Sequence, residues 1–126
     1  MNVGDTFRGC LKDEIAHVWV IITSPNHAGE IVMVNFSSYR KDSFELDDTC
    51  VEEPGEHPLV TRKTIVRYQS AQVKPILPIE QALKKGLIEQ APPVSPNLLK
   101  RIQQGALSSP WTPRKVVTEV CRAVQI

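Results

Sequence analysis

The chain has 126 residues, 41% of them hydrophobic and 23% charged, with a net charge of +1. That is the length of one domain with room for a core of its own, and a near-neutral total supplies no global field for nucleic acid or membrane. The longest apolar run, Val18–Ile22, is far short of the ~20 residues of a membrane helix, and the first residues lack a basic segment followed by an apolar one, so a cytoplasmic protein is expected. The total hides a division. Residues 1–73 carry 7 Lys and Arg against 11 Asp and Glu, a charge of −4, whereas residues 74–126 carry 8 against 3, a charge of +5. Three cysteines (Cys10, Cys50, Cys121), widely spaced and without a CxxC pair, argue against a disulfide framework or a zinc finger.

The acidic front reads as β structure. Thr6–Leu11 suits a short strand entered from Gly4-Asp5. His17–Thr23 is β-branched and apolar on both faces, the signature of a strand covered on two sides. The turn formers Ser24–Gly29 follow, and Glu30–Phe36 repeats the signature, so the two runs predict a hairpin. Ser37–Asp48 is polar and irregular. Thr49–Glu52 is a weak strand ending at Pro54-Gly55, His57–Val60 is a brief one, Thr64–Tyr68 alternates with period two, and Ala71–Lys74 closes the series at Pro75. Five or six short strands in 73 residues is the density of a small barrel.

The basic back switches period. Pro78–Gly86 predicts a short helix ended by its glycine. Ala91–Ser95 is a break, after which Ser95 caps a helix that has Pro96 at its first position and Leu98, Leu99, Ile102 and Ala106 at helical spacing. Ser108-Ser109-Pro110 stops it. Thr112-Pro113 repeats the cap-then-proline signal before Val116, Val117, Val120, Cys121 and Val124. The expected fold is therefore mostly β, of α+β type: a small barrel over residues 1–76 with two or three helices over 77–126 packed on it as one compact unit.

Val3-Gly4-Asp5 opening a strand, the buried strand His17–Ser24 and then Ile31–Ser38 resemble the start of the PemK/MazF toxin family. Lys63–Val73 is similar to that family's closing segment, in which a small hydroxyl residue and a valine precede a strand leading into a helix. The resemblance covers roughly residues 3–87. It implies an SH3-like barrel, metal-free endoribonuclease activity as the toxin of a toxin–antitoxin pair, and, as partners, RNA, an antitoxin protein and a second copy of the chain, with no membrane. Two features depart from the family. The loop between the first strands shrinks to Lys12–Ala16, and His17-Val18 stands where the family has Arg-Pro. Ser37 or Ser38 fits the Thr or Ser that ends the family's third strand.

RNA cleavage without a metal needs a proton removed from the ribose 2′-hydroxyl, a proton given to the leaving oxygen and the phosphate charge stabilised. Histidine suits the proton transfers and arginine the phosphate. The residues expected to carry this are His17 and His57 for proton transfer, with Arg62 and Ser37 at the phosphate. Ser38, Tyr39, Arg40, Lys41 and Lys63 are expected along the nucleic acid. His27, at the hairpin tip, reads as solvated. A zinc site of His17, Cys50 and His57 lacks any short ligand pair to anchor it, so no metal and no cofactor are expected. The competing reading is a non-catalytic barrel that binds a protein or nucleic acid, supported by the missing arginine, the short loop and the acidic barrel. The pairs Lys84-Lys85, Lys100-Arg101 and Arg114-Lys115 read as solvated helix faces, as a nucleic-acid surface, or as a means of docking the basic part on the acidic one. Trp111 is placed to lock the last helix or to sit in an interface.

Overall fold

A computed structural model describes residues 1–9, 17–44 and 46–124. Six strands form one antiparallel sheet: β1 (Thr6–Gly9), β2 (His17–Ile21), β3 (Glu30–Ser38), β4 (Val51–Glu52), β5 (Thr64–Pro75) and β6 (Glu89–Ala91). Their order across the sheet is β4-β5-β3-β2-β1-β6. The sheet curls into a half-barrel. Helix α1 (Ile76–Lys84) lies in sequence between β5 and β6, and α2 (Pro96–Ser108) and α3 (Arg114–Val124) follow. Among the described residues no helix is long and apolar enough to cross a membrane.

The sheet is covered on both faces, which explains the uninterrupted apolar runs. Alternate residues of β3 point to opposite sides. Val32, Val34 and Phe36 share a core with Val20, Val66 and Tyr68, beneath Leu98 and Ile102 of α2 and Val116 and Val120 of α3. Ile31 and Met33 join Phe7, Trp19 and Ile21 in a second core, covered by Ile79 of α1 and by Ile88. The predicted hairpin forms with its loop tied by Asn26, whose Oδ1 accepts from the backbone N–H groups of Ala28 (2.9 Å) and Glu30 (3.0 Å). Gly29 completes that turn at φ 73°, a conformation that favours glycine.

Several boundaries move. Thr64–Tyr68 and Ala71–Lys74 are one strand, interrupted by an irregularity opposite Met33–Asn35. Segment 57–60 is a turn, closed by the Val60 N–H on the His57 carbonyl (2.9 Å), and not a strand. The helix expected at Pro78–Gly86 begins two residues earlier, directly after β5. Strand β6 has no alternating pattern to announce it, yet pairs with Thr6–Arg8 of β1. Ser95 caps α2 as expected, its Oγ accepting from Leu98 N–H (3.1 Å). Thr112 does not cap α3. That helix starts at Arg114, with Val117 N–H on the Pro113 carbonyl (3.0 Å), and the buried Thr112 Oγ1 has no hydrogen-bond partner among the described residues. The expected end of the first strand, the Lys12–Ala16 loop and Cys10 lie outside the described residues.

Candidate functional site

At one end of the sheet, β3 runs out of apolar residues at Ser37 and Ser38 and turns into the polar segment that follows. Its partner β5 begins there, with Ser38 opposite Thr64, Ser37 opposite Ile65 and Asn35 opposite Arg67. Residues opposite one another share a face. Ser37, Ile65 and Arg67 therefore stand together, and the turn after β3 brings Arg40, Ser43 and Leu46 to the same place. These side chains line a recess of about 210 Å³. Arg67 is oriented by Ser70, whose Oγ accepts from its Nη1 (2.8 Å), and by Gln69 (3.4 Å). Beside the recess, the Lys63 ammonium lies 4.2 Å from the centre of the Tyr39 ring, and Tyr39 N–H donates to the Lys63 carbonyl (3.0 Å). Arg40 and Lys41 are exposed, as is Asp42 in the same turn.

Asn35 sits next to this recess on the same face. It is 2% exposed, and its Oδ1 has no hydrogen-bond partner among the described residues. A buried amide oxygen left unpaired costs about 1–3 kcal/mol. The sequence carried a signal for it: Asn35 is the one polar residue in the run Ile31–Phe36. Arg67 carries no such signal, because a charged residue in an alternating strand ordinarily faces water.

His17, at the start of β2 opposite Gly9, is half-buried, its ring edge-on to Trp19 at 6.5 Å between centroids. Trp19 pairs with Asn35, so two residues farther on, His17 and Ser37 stand at the same end of the same face.

His57 is placed differently. It is 2% exposed, packed edge-on against Phe36 (6.2 Å between centroids) on the opposite face of the sheet from His17. Its Nδ1 accepts from Leu59 N–H (3.1 Å), so the proton is on Nε2, which donates to the Pro92 carbonyl at 2.6 Å. That carbonyl also accepts from Thr6 Oγ1 (2.7 Å). His57 follows β4 and Pro92 follows β6, the two edge strands of the sheet. The histidine thus ties the half-barrel shut across its open side. Both ring nitrogens are committed to the fold.

The recess unites Ser37, Ser38 and Arg40 with the unforeseen Arg67; Tyr39, Lys41 and Lys63 flank it. Arg62 is exposed two residues before β5 and gives its carbonyl to Thr64 Oγ1 (2.8 Å), outside the lining. His17 stands on the opposite face of the sheet from Cys50 and His57, so the three are not brought together. Of the basic pairs, Arg101 docks internally: it ion-pairs with Glu56 and donates to the Val51 carbonyl (2.7 Å). Lys84, Lys85, Lys100, Arg114 and Lys115 are exposed, and Trp111 is 40% exposed in the turn before α3. Compared with known proteins, the chain matches no family model and no curated protein.

Proposed function

We propose that the chain is an RNA-binding barrel whose recess at the end of β3 and β5 holds a phosphate of the RNA backbone. The observation that carries this reading is the convergence of Arg40 and Arg67 with Ser37, Ser38 and Ser43 on one small recess. Guanidinium groups meet phosphate oxygens as planar forks, and hydroxyls satisfy the remaining lone pairs. Lys41 and Lys63 extend the positive strip along which a backbone would run, so an acidic barrel still offers a local platform. The resemblance of residues 3–87 to PemK/MazF barrels supports RNA as the nucleic acid. Fluorescence anisotropy with a labelled RNA oligonucleotide tests the reading. The wild type is expected to bind with strong salt dependence. Replacing Arg40 and Arg67 together by Ala is expected to weaken binding at least tenfold and to flatten the salt slope by about 1–2 contacts' worth. Equal binding by the double variant would refute it.

One observation favours the fuller, toxin reading, in which the RNA is also cut and an antitoxin holds the activity in check. His17 stands on the same face and at the same end as Ser37, where a ring nitrogen serves proton transfer. With His57 committed to closing the barrel, His17 carries that role alone among the described histidines. On this reading His17→Ala retains RNA binding and loses cleavage. RNA left intact by the wild type, with and without chelator, would restrict the function to binding.

A further inference from the structure

Behind the opposite face of the sheet lies a group that neither reading uses. Glu52, in the two-residue edge strand β4, is 0% exposed, and neither carboxylate oxygen has a hydrogen-bond partner among the described residues. A buried carboxylate in that state either stays protonated or captures a cation. The cation beside it is Arg101 of α2, but this guanidinium already serves two acceptors, the Glu56 carboxylate and the Val51 carbonyl. Glu56 is further held by Glu53 N–H (2.7 Å). Two carboxylates thus compete for one arginine, across the contact that joins the β4 edge to α2.

We propose that Glu52 is a proton-controlled latch: protonated, it lets residues 50–60 close under α2, and ionised, it is a buried charge that Arg101, held by Glu56 and Val51, does not offset, so that the segment opens. The segment is lightly held at β4, and its full opening also breaks the bond from His57 Nε2 to the Pro92 carbonyl (2.6 Å). Its pairing with β5 spans two residues, Val51 opposite Ile65 and Glu52 opposite Thr64, beside one further bond from Val66 N–H to the Cys50 carbonyl (3.1 Å). The groups that face Glu52 are Glu56 and Cys50 from its own segment, Tyr68 from β5 and Arg101 from α2. Burial pushes the Cys50 thiol and the Tyr68 phenol up, so both stay neutral through the relevant range. The hydrogen bond from Arg101 holds Glu56 below the usual carboxylate range, so it stays charged. Of these four groups and Glu52 itself, Glu52 is the one moved toward neutrality. Burial, reinforced by the charge of Glu56 and opposed by Arg101, pushes its carboxyl up to about 7.

The latch reports to the recess on the other face, because Val51 pairs with Ile65, which lines it. An edge that peels from β5 loosens one wall of the recess. The proposal stands independently of what the recess binds.

Hydrogen exchange of the full chain between pH 5 and pH 8, corrected for the intrinsic exchange rate, tests it. The segment 50–60 is expected to exchange by an opening that leaves β3 protected, and its protection is expected to fall on the order of 100-fold across that range. Glu52→Gln is expected to abolish the fall. Glu56→Gln, which releases Arg101 to Glu52, is expected to shrink it. Where a variant fails to fold, the wild type decides alone: the Glu52 carboxyl carbon is expected to titrate near neutrality by NMR. Protection of 50–60 that does not change with pH, exchange of 50–60 only together with β3, or a Glu52 titration in the ordinary carboxylate range would each overturn the latch.

Discussion

Gly105 stands in the last turn of α2, where an alanine would ordinarily strengthen the helix by up to about 1 kcal/mol. The structure predicts the reverse. A Cβ built on Gly105 runs into the phenolic oxygen of Tyr68 and lies 2.8 Å from its Cζ. Tyr68 has nowhere to go: it is 0% exposed, and its hydroxyl donates to the Ile102 carbonyl (2.8 Å) one turn earlier in the same helix. Gly105→Ala must either push α2 off the sheet or displace the ring. Overpacking of this kind costs about 1–3 kcal/mol, and stranding the hydroxyl costs about 1–3 more. Less the gain in helix propensity, the net loss is about 3 kcal/mol. Urea denaturation followed by tryptophan fluorescence should show the midpoint lowered by about 1–2 M at unchanged slope. Tyr68→Phe, which removes the oxygen but leaves Cζ, should relieve part of the clash, so the double variant should lose less than the sum of the singles. Stability of Gly105→Ala equal to or above wild type would refute the packing of α2 against β5 described above.

His57→Phe fills the same space but leaves Leu59 N–H without an acceptor and Pro92 O with Thr6 alone; a loss of about 2–4 kcal/mol in chemical denaturation is expected, and a loss under about 0.5 would show that the half-barrel does not depend on this tie. Ser95→Ala removes the α2 cap and should cost about 1 kcal/mol by the same measurement, against no loss if the cap is idle. Glu52 binds its proton more tightly folded than unfolded, so its contribution is fully present below about pH 4.5 and is lost as pH rises to about 7. Wild type should therefore lose about 3 kcal/mol relative to Glu52→Gln between pH 4 and pH 9, and parallel stability curves for the two proteins would contradict this.

Much of the fold was legible because it rests on local periodicity. The doubly apolar runs of β2 and β3 read as strands covered on both faces, and the cap of α2 is a contiguous Ser-Pro signal. What was not legible depends on partners distant in sequence. Strand β6 is specified by the exposed edge of β1, some 80 residues earlier in the chain, and not by any pattern in Glu89–Ala91. The role of His57 is fixed by a carbonyl 35 residues away. A histidine in a Pro- and Gly-rich turn looks the same in sequence whether it faces a substrate or closes a barrel. At the site, Ser37 and Ser38 were legible only through the PemK/MazF resemblance, as the small hydroxyl that ends that family's third strand. Arg67 was not, because its membership follows from the register that sets it opposite Asn35. Glu52 read as an ordinary polar residue of a weak strand, since nothing in Thr49–Glu52 shows that α2 covers it.

The charge division seen in the sequence also has a structural sense. Arg101 from the basic part pairs with Glu56 of the acidic part, so some of the +5 segment covers its own barrel. The cations that remain exposed, Arg40 at the recess among them, are those that the proposed RNA would meet first. The most direct test is the affinity of the full chain for a single-stranded RNA oligonucleotide at two salt concentrations, compared with the double variant carrying Arg40→Ala and Arg67→Ala. Binding that weakens with salt and drops at least tenfold in that variant is the predicted result. No binding at low salt, or equal binding by both proteins, would contradict the assignment of the recess to RNA.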